Sequence, residues 1–184
     1  EFRRVLFRSW ETGTGIELQD VDCSHNNGNA GFAYGMQLDT TESVAFSNVA
    51  ADANVGTGGD GTTNLGATGI YLSTSTRSVM IEDTTVNSNN GSTVAGLRVT
   101  AGDSVKLRNV VSDYNNGTGA VSGMSFETSV SSLEVAGGSV ASNTSSAGDV
   151  KGITCTAGQS MVLKDLVCNY NTTSGGNANV TALD

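Results

Sequence analysis

The side chains able to do chemistry are few and widely spaced. The 184 residues include one histidine, His25, and three cysteines, Cys23, Cys155 and Cys168. Three scattered cysteines with one distant histidine lack the spacing of a zinc site, so the cysteines read as small buried hydrophobes. The remaining candidates are charged or aromatic: Tyr71, Glu82, Arg98, Lys106, Arg108, Glu127 and Glu134. Together they have the chemistry of a groove for a charged saccharide. A tyrosine ring offers a stacking platform, guanidinium and ammonium groups take carboxylates, and carboxylates accept from hydroxyls. The simpler alternative is a solvated face with surface ion pairs worth about 0–1 kcal/mol each. No residue stands out as catalytic.

Such a set works only if the fold brings it together. The chain holds 24 Gly and no Pro, with 5% aromatic and 15% charged residues. Gly, Ser, Thr and Asn are poor in helix interiors, while 37% apolar residues suffice for a core. A Gly- and Asn-punctuated all-β protein follows. No apolar run is long enough for a membrane-spanning helix.

A repeat organises the sequence. Units begin at Gly15, Ser43, Ser78, Ser104, Ser132 and Ser160, at intervals of 28, 35, 26, 28 and 28 residues. Apolar residues stand one and three positions after each start: Ile16/Leu18, Val44/Phe46, Val79/Ile81, Val105/Leu107, Leu133/Val135 and Met161/Leu163. Eleven positions after each start stands an Asn: Asn26, Asn54, Asn89, Asn115, Asn143 and Asn171. A glycine precedes five of the units, Gly35, Gly69, Gly96, Gly123 and Gly152, each followed by alternating apolar residues. Length varies mainly in the link from Asn to Gly, which is where a stacked coil would carry a loop.

Alternation with period two marks short strands with one buried face. A third, weaker pair recurs at Val21/Cys23, Val49/Ala51, Thr84/Val86, Gly138/Val140 and Leu166/Cys168, and the fourth unit shifts to Val110/Val111. Three short strands make one triangular turn of a solenoid, which buries its face only by stacking on neighbours. Asn at a fixed position is expected to take the left-handed bend of a corner and to donate to the Asn of the next coil. Asp20, Asn48, Asp83, Asn109 and Asp165 form a second ladder interrupted by Gly137. Equal register on adjacent coils pairs Glu82 with Arg108 and Lys106 with Glu134.

These G-Φ-x-Φ…S-Φ-x-Φ-x-D/N…N-x-G units, with Φ apolar, resemble the right-handed parallel β-helix superfamily of pectate lyases, polygalacturonases, tailspikes and surface proteins. The resemblance spans residues 15–184. It implies a right-handed, single-stranded parallel β-helix of about six coils, stacked on further coils of a longer parent chain. It further implies a structural, adhesive or carbohydrate-interacting segment of a secreted or cell-surface protein, with polysaccharide or cell-surface glycan as partner. The alternative is part of a polysaccharide lyase or glycoside hydrolase. Against it, the chain has no Asp-Asp dipeptide, no Gly-His-Gly segment and no proline, so neither catalytic signature of the superfamily is present.

Residues 1–9, "EFRRVLFRS", resemble a translated sequencing-library adapter and are set aside with the lead-in to residue 14. The chain then reads as truncated at both ends. Formal net charge is −9 overall, and removing Glu1, Arg3, Arg4 and Arg8 leaves six basic and 17 acidic side chains, net −11. Such a surface repels nucleic acid and anionic headgroups. No cofactor is implied. The one metal the residues leave open is Ca²⁺ at the loop 56–66, where Gly58, Gly59, Gly61 and Leu65 follow a calcium-binding nonapeptide pattern. Thr63 replaces its carboxylate, so Asp60 and loop carbonyls alone would have to supply about six oxygens. Cys23 and Cys168 share a register five coils apart, roughly 24 Å at the strand spacing. Cys155 and Cys168 fall in one coil, where a bridge is conceivable.

Overall fold

The computed structural model describes residues 15–28, 31–56, 66–74, 77–101, 103–175 and 180–183, of which 74, 127–130, 156–159, 180 and 182–183 are described in their backbone alone. The suspected adapter and residues 57–65 of the glycine-rich loop lie outside them. The chain is all-β, a parallel β-solenoid of about five turns, without a helix among the described residues. Six rungs define those turns, one for each repeat start.

Two strand stacks share a ten-stranded parallel sheet. The serine strands stack Ile16–Asp22, Val44–Ala50, Val79–Glu82 and Ser104–Val111, continuing into the second halves of Val121–Ser139 and Val150–Lys164. The glycine strands stack Ala33–Thr40, Ala67–Thr74 and Val94–Ala101 on the first halves of the same two long strands, and Val180–Leu183 closes the series. Every pairing advances one repeat, so Leu18, Phe46, Ile81, Leu107 and Val135 fall in one inward column and are all buried. Ile70, Leu72, Leu97, Val99, Met124 and Phe126 fill the facing columns, none above 0% exposed. Each coil is half of its neighbour's core, which is why a single turn has no stability of its own.

The third strand continues the serine strand from coil one to two and from four to five, where Val21 pairs with Val49 and Val111 with Ser139, and is elsewhere reduced to isolated bridges, Ala50 to Thr85 to Val111 and Ser139 to Val167. A two-residue rung follows the Asn position, from Asn27–Gly28 to Thr172–Thr173, and forms a separate six-stranded sheet that the repeat pattern did not reveal. The fourth unit does not shift. Val110 pairs with Gly138, and the inward position two residues on is Ser112, fully buried, whose hydroxyl donates to the Gly123 carbonyl at 2.7 Å. A satisfied serine takes the place of an apolar residue there, which disguised the register.

The left-handed bend also differs from expectation. The ladder asparagines do not adopt it; the residues before them do: His25, Ala53, Ser88, Tyr114, Ser142 and Tyr170, with φ from 52° to 61°. Asn works through its side chain. Nδ2 of Asn54 donates to the Ala51 carbonyl at 2.9 Å and to Oδ1 of Asn89 at 2.9 Å, while the Asn54 amide N–H donates to the same Oδ1 at 3.1 Å. The two donations to the next ladder Asn recur at every step from Asn26 to Asn171. The second corner bends at Asp20, Asn48, Asp83, Asn109, Gly137 and Asp165, all at positive φ. There Asn48 donates to Asp20 at 2.7 Å and Asn109 to Asp83 at 3.0 Å.

A left-handed Ala carries strain of about 1–2 kcal/mol that glycine avoids, set against glycine's larger unfolded-state entropy of about 0.5–1 kcal/mol. Ala53→Gly should therefore raise stability, by about 0.5–1 kcal/mol, read as a higher urea midpoint at unchanged slope.

Candidate functional site

On the glycine strands, outward positions alternate with the buried ones, so Tyr71 stands between Ile70 and Leu72 and Arg98 between Leu97 and Val99. Register places Gln37, Tyr71, Arg98 and Ser125 in one column. The Arg98 guanidinium lies over the Tyr71 ring, 5.4 Å from its centroid, the geometry of a cation–π contact. Tyr34 adds a second ring 6.2 Å from Tyr71, and Phe32, 52% exposed, stacks on Tyr34 at 6.1 Å. A strip of three rings and one guanidinium thus crosses the first three coils. Phe32 and Tyr34 were missed because they are diagonal to Tyr71, in neither its column nor its strand.

The other candidates lie on the serine strands. Arg108 bonds Glu82 at 3.4 Å, as equal register requires. Lys106 is paired with Glu134 in backbone register, but the ion pair of Glu134 is with Lys164 at 3.2 Å. Lys164 lies two positions further along its strand and reaches back diagonally, which replaces the lateral pair expected from register alone. The Lys164 hydrogen bond and charge, helped by Lys106 and Arg108, hold the Glu134 carboxyl below its ordinary value. The contribution of that pair is present above the ordinary glutamate range and disappears as pH falls through the lowered value. The structure therefore yields two clusters, the ring strip in coils one to three and the ion pairs in coils three to six. The Glu127 backbone pairs with Thr100; its side chain is outside those described.

Cys23, Cys155 and Cys168 are joined by no disulfide. Burial pushes the Cys23 and Cys168 thiols up, which disfavours a reactive thiolate. His25 is exposed at its corner. Among the described residues no three His, Cys, Asp or Glu side chains gather to hold a metal ion, and no helix is long and apolar enough to cross a membrane.

The structure contains a further polar column, nine positions after each start. Ser24 Oγ accepts from the Asp52 amide at 3.0 Å, Asp52 Oδ1 from Asn87 at 2.6 Å, Asn87 Oδ1 from Asp113 at 2.7 Å, and Asp113 Oδ1 from Ala141 at 2.6 Å. Both aspartates also accept a hydroxyl, Thr85 on Asp52 and Ser139 on Asp113. These carboxylates are committed to holding coils together.

No family model, curated protein or solved structure matches the chain. Its function rests on its own residues.

Proposed function

We propose that the chain is a non-catalytic, carbohydrate-interacting segment of a secreted or cell-surface β-helix protein of the pectate-lyase-like kind. The observation that carries the reading is the strip Phe32–Tyr34–Tyr71–Arg98 on an outward sheet face. Tyrosine faces pack against the C–H face of a pyranose, and a guanidinium takes a sugar carboxylate in bidentate fashion. Of the charged candidates elsewhere, Glu82 is bound to Arg108 and Glu134 to Lys164, which supports display more than turnover. An extended strip across successive coils suits an extended polymer.

Affinity electrophoresis in gels containing polygalacturonate, alginate or a neutral glucan tests this. Retardation by the uronate polymers is expected, with Arg98→Gln and Tyr71→Ala each weakening it about tenfold, the equivalent of one lost contact of about 1.4 kcal/mol. Equal mobility in every gel would sink the proposal. Release of sugar ends from a uronate polymer, abolished by Glu127→Gln or Glu134→Gln, would replace it with the lyase or hydrolase reading.

A further inference from the structure

Five Asn-x-Ser/Thr triplets, the acceptor motif for N-linked glycans, begin at Asn90, Asn116, Asn143, Asn171 and Asn179. Asn179 lies outside the described residues. The other four fall into two frames one residue apart. Asn143 and Asn171 are ladder asparagines, while Asn90 and Asn116 come directly after one and open the rungs Asn90–Gly91 and Asn116–Gly117. One step along an extended segment turns a side chain to the opposite face. At the ladder, both halves of the motif are consumed by the fold. Asn143 is fully buried, and its Nδ2 donates to Asn171 Oδ1 at 2.9 Å and to the Ser112 carbonyl at 3.1 Å. Ser145, the hydroxyl of that triplet, is 4% exposed and donates to the Gly119 carbonyl at 2.6 Å. In the same way Asn171 donates to the Val140 carbonyl and Thr173 to the Gly148 carbonyl. On the rungs the frame is reversed: Asn90 and Asn116 are exposed and the glycines after them buried. Among the described residues neither rung Nδ2 has an acceptor. The bond at Asn116 is received by its Oδ1, from Thr144 Oγ1 at 3.0 Å, and an N-linked sugar leaves that oxygen free to accept it. Thr118, the hydroxyl of the second rung triplet, is exposed, and Ser92 of the first is half-buried.

We propose that Asn90 and Asn116 are N-glycan acceptors, and that the ladder triplets at Asn143 and Asn171 stay unmodified in the folded protein. The proposal rests on the reading of the chain as an exported one. The donor is an oligosaccharide linked to a polyisoprenyl diphosphate. The sugar C1–O bond to the diphosphate breaks, a C1–N bond to Nδ2 forms, one amide proton passes to solvent, and the lipid diphosphate leaves. At Asn90 and Asn116 the proton lost is one the fold does not use. At Asn143 it is one the ladder needs, and the bulky, hydrated sugar would have to sit in a fully buried position. Register sets Asn90 and Asn116 side by side on adjacent rungs. They belong to the six-stranded sheet, apart from the ten-stranded one that carries the ring strip.

The test is secretion of the full chain from a eukaryotic host behind a supplied leader, followed by mass spectrometry of intact glycopeptides from the folded product. Asn179→Gln is carried in every sample, because that triplet lies outside the described residues. N-glycans are expected at Asn90 and Asn116 and at neither ladder position. The Asn90→Gln/Asn116→Gln double variant should lose the entire mass shift that peptide N-glycosidase removes. So should Ser92→Ala/Thr118→Ala, which keeps both asparagines and guards against a variant that fails to fold. A secreted chain bare at both rung positions overturns the proposal. So does a glycan on Asn143 or Asn171 of folded protein, or a shift that survives either double variant. Because the leader is supplied, these outcomes judge the acceptor sites alone. Uronate binding is measured on unglycosylated chain, so its failure is read separately.

Discussion

Asn115→Ala is expected to destabilise the protein by about 3–5 kcal/mol, each buried polar group left without a partner costing about 1–3 kcal/mol. Asn115 is fully buried in the middle of the ladder. Its Oδ1 accepts from both the amide N–H and Nδ2 of Asn89, and its Nδ2 donates to Asn143 Oδ1 and Ser112 Oγ. Truncation removes the acceptor of two Asn89 donors, its amide N–H and Nδ2, and the side-chain donor to Asn143, and leaves a void between coils. Urea midpoints measure the loss. Asn115→Asp separates shape from hydrogen bonding. It is nearly isosteric but turns a donor into a second acceptor facing Asn143 Oδ1, so it should cost at least as much as alanine. Asn26→Ala, at the first rung and with no donor to its Oδ1 among the described residues, should cost about 1 kcal/mol. Equal losses at Asn26 and Asn115 would refute a ladder whose worth depends on position.

The second large effect is at glycine. Gly35, Gly69, Gly96 and Gly123 lie where their strand crosses the Asn ladder. A Cβ added to Gly96 would collide with Ser112 Oγ and come to 2.7 Å from the Gly123 carbonyl and 2.9 Å from Asn115 Nδ2. Gly35, Gly69 and Gly123 meet the same pair, the next glycine's carbonyl and the ladder amide, at 2.6–3.1 Å. The Gly123 carbonyl on one side and the hydrogen-bonded Ser112 and Asn115 side chains on the other have little room to give way, so Gly96→Ala should cost about 2–3 kcal/mol, as overpacking does. Gly31 is the control. A Cβ there meets nothing within 4 Å, so Gly31→Ala should be neutral or slightly stabilising. Thermal melts of the two variants decide it, and a neutral Gly96→Ala would mean that the coils are looser than their contacts indicate.

This contact explains why so much of the architecture was legible in the sequence. The two most regular signals, Gly before one strand and Asn after another, are opposite sides of one close approach repeated coil after coil. Hydrophobic alternation and a fixed start-to-Asn distance sufficed for strand stacks, direction and register. The left-handed corner residues were not legible, because His, Ala, Ser and Tyr carry no common chemical mark and are driven there by the coil around them. The Ser24–Asp52–Asn87–Asp113 column was missed for a related reason: several residue types can each offer one acceptor to the next amide. In the candidate site, same-register arithmetic found Glu82–Arg108, and alternation named Tyr71 and Arg98 without pairing them. Register failed for Lys164–Glu134 and Tyr34–Tyr71, where long side chains cross the ladder diagonally.

Two of the polar columns break in the same coil. The second corner ladder loses its side chain at Gly137, and the acceptor column ends at Ala141, whose methyl offers nothing to Asn169. The fifth and sixth coils are therefore joined mainly by the Asn ladder, strand pairing and the Glu134–Lys164 contact. In a quasi-one-dimensional stack, such a seam sets where cooperative opening divides. The sixth coil is expected to open as a subglobal unit, exchanging its amide hydrogens and meeting proteases before the first five coils loosen.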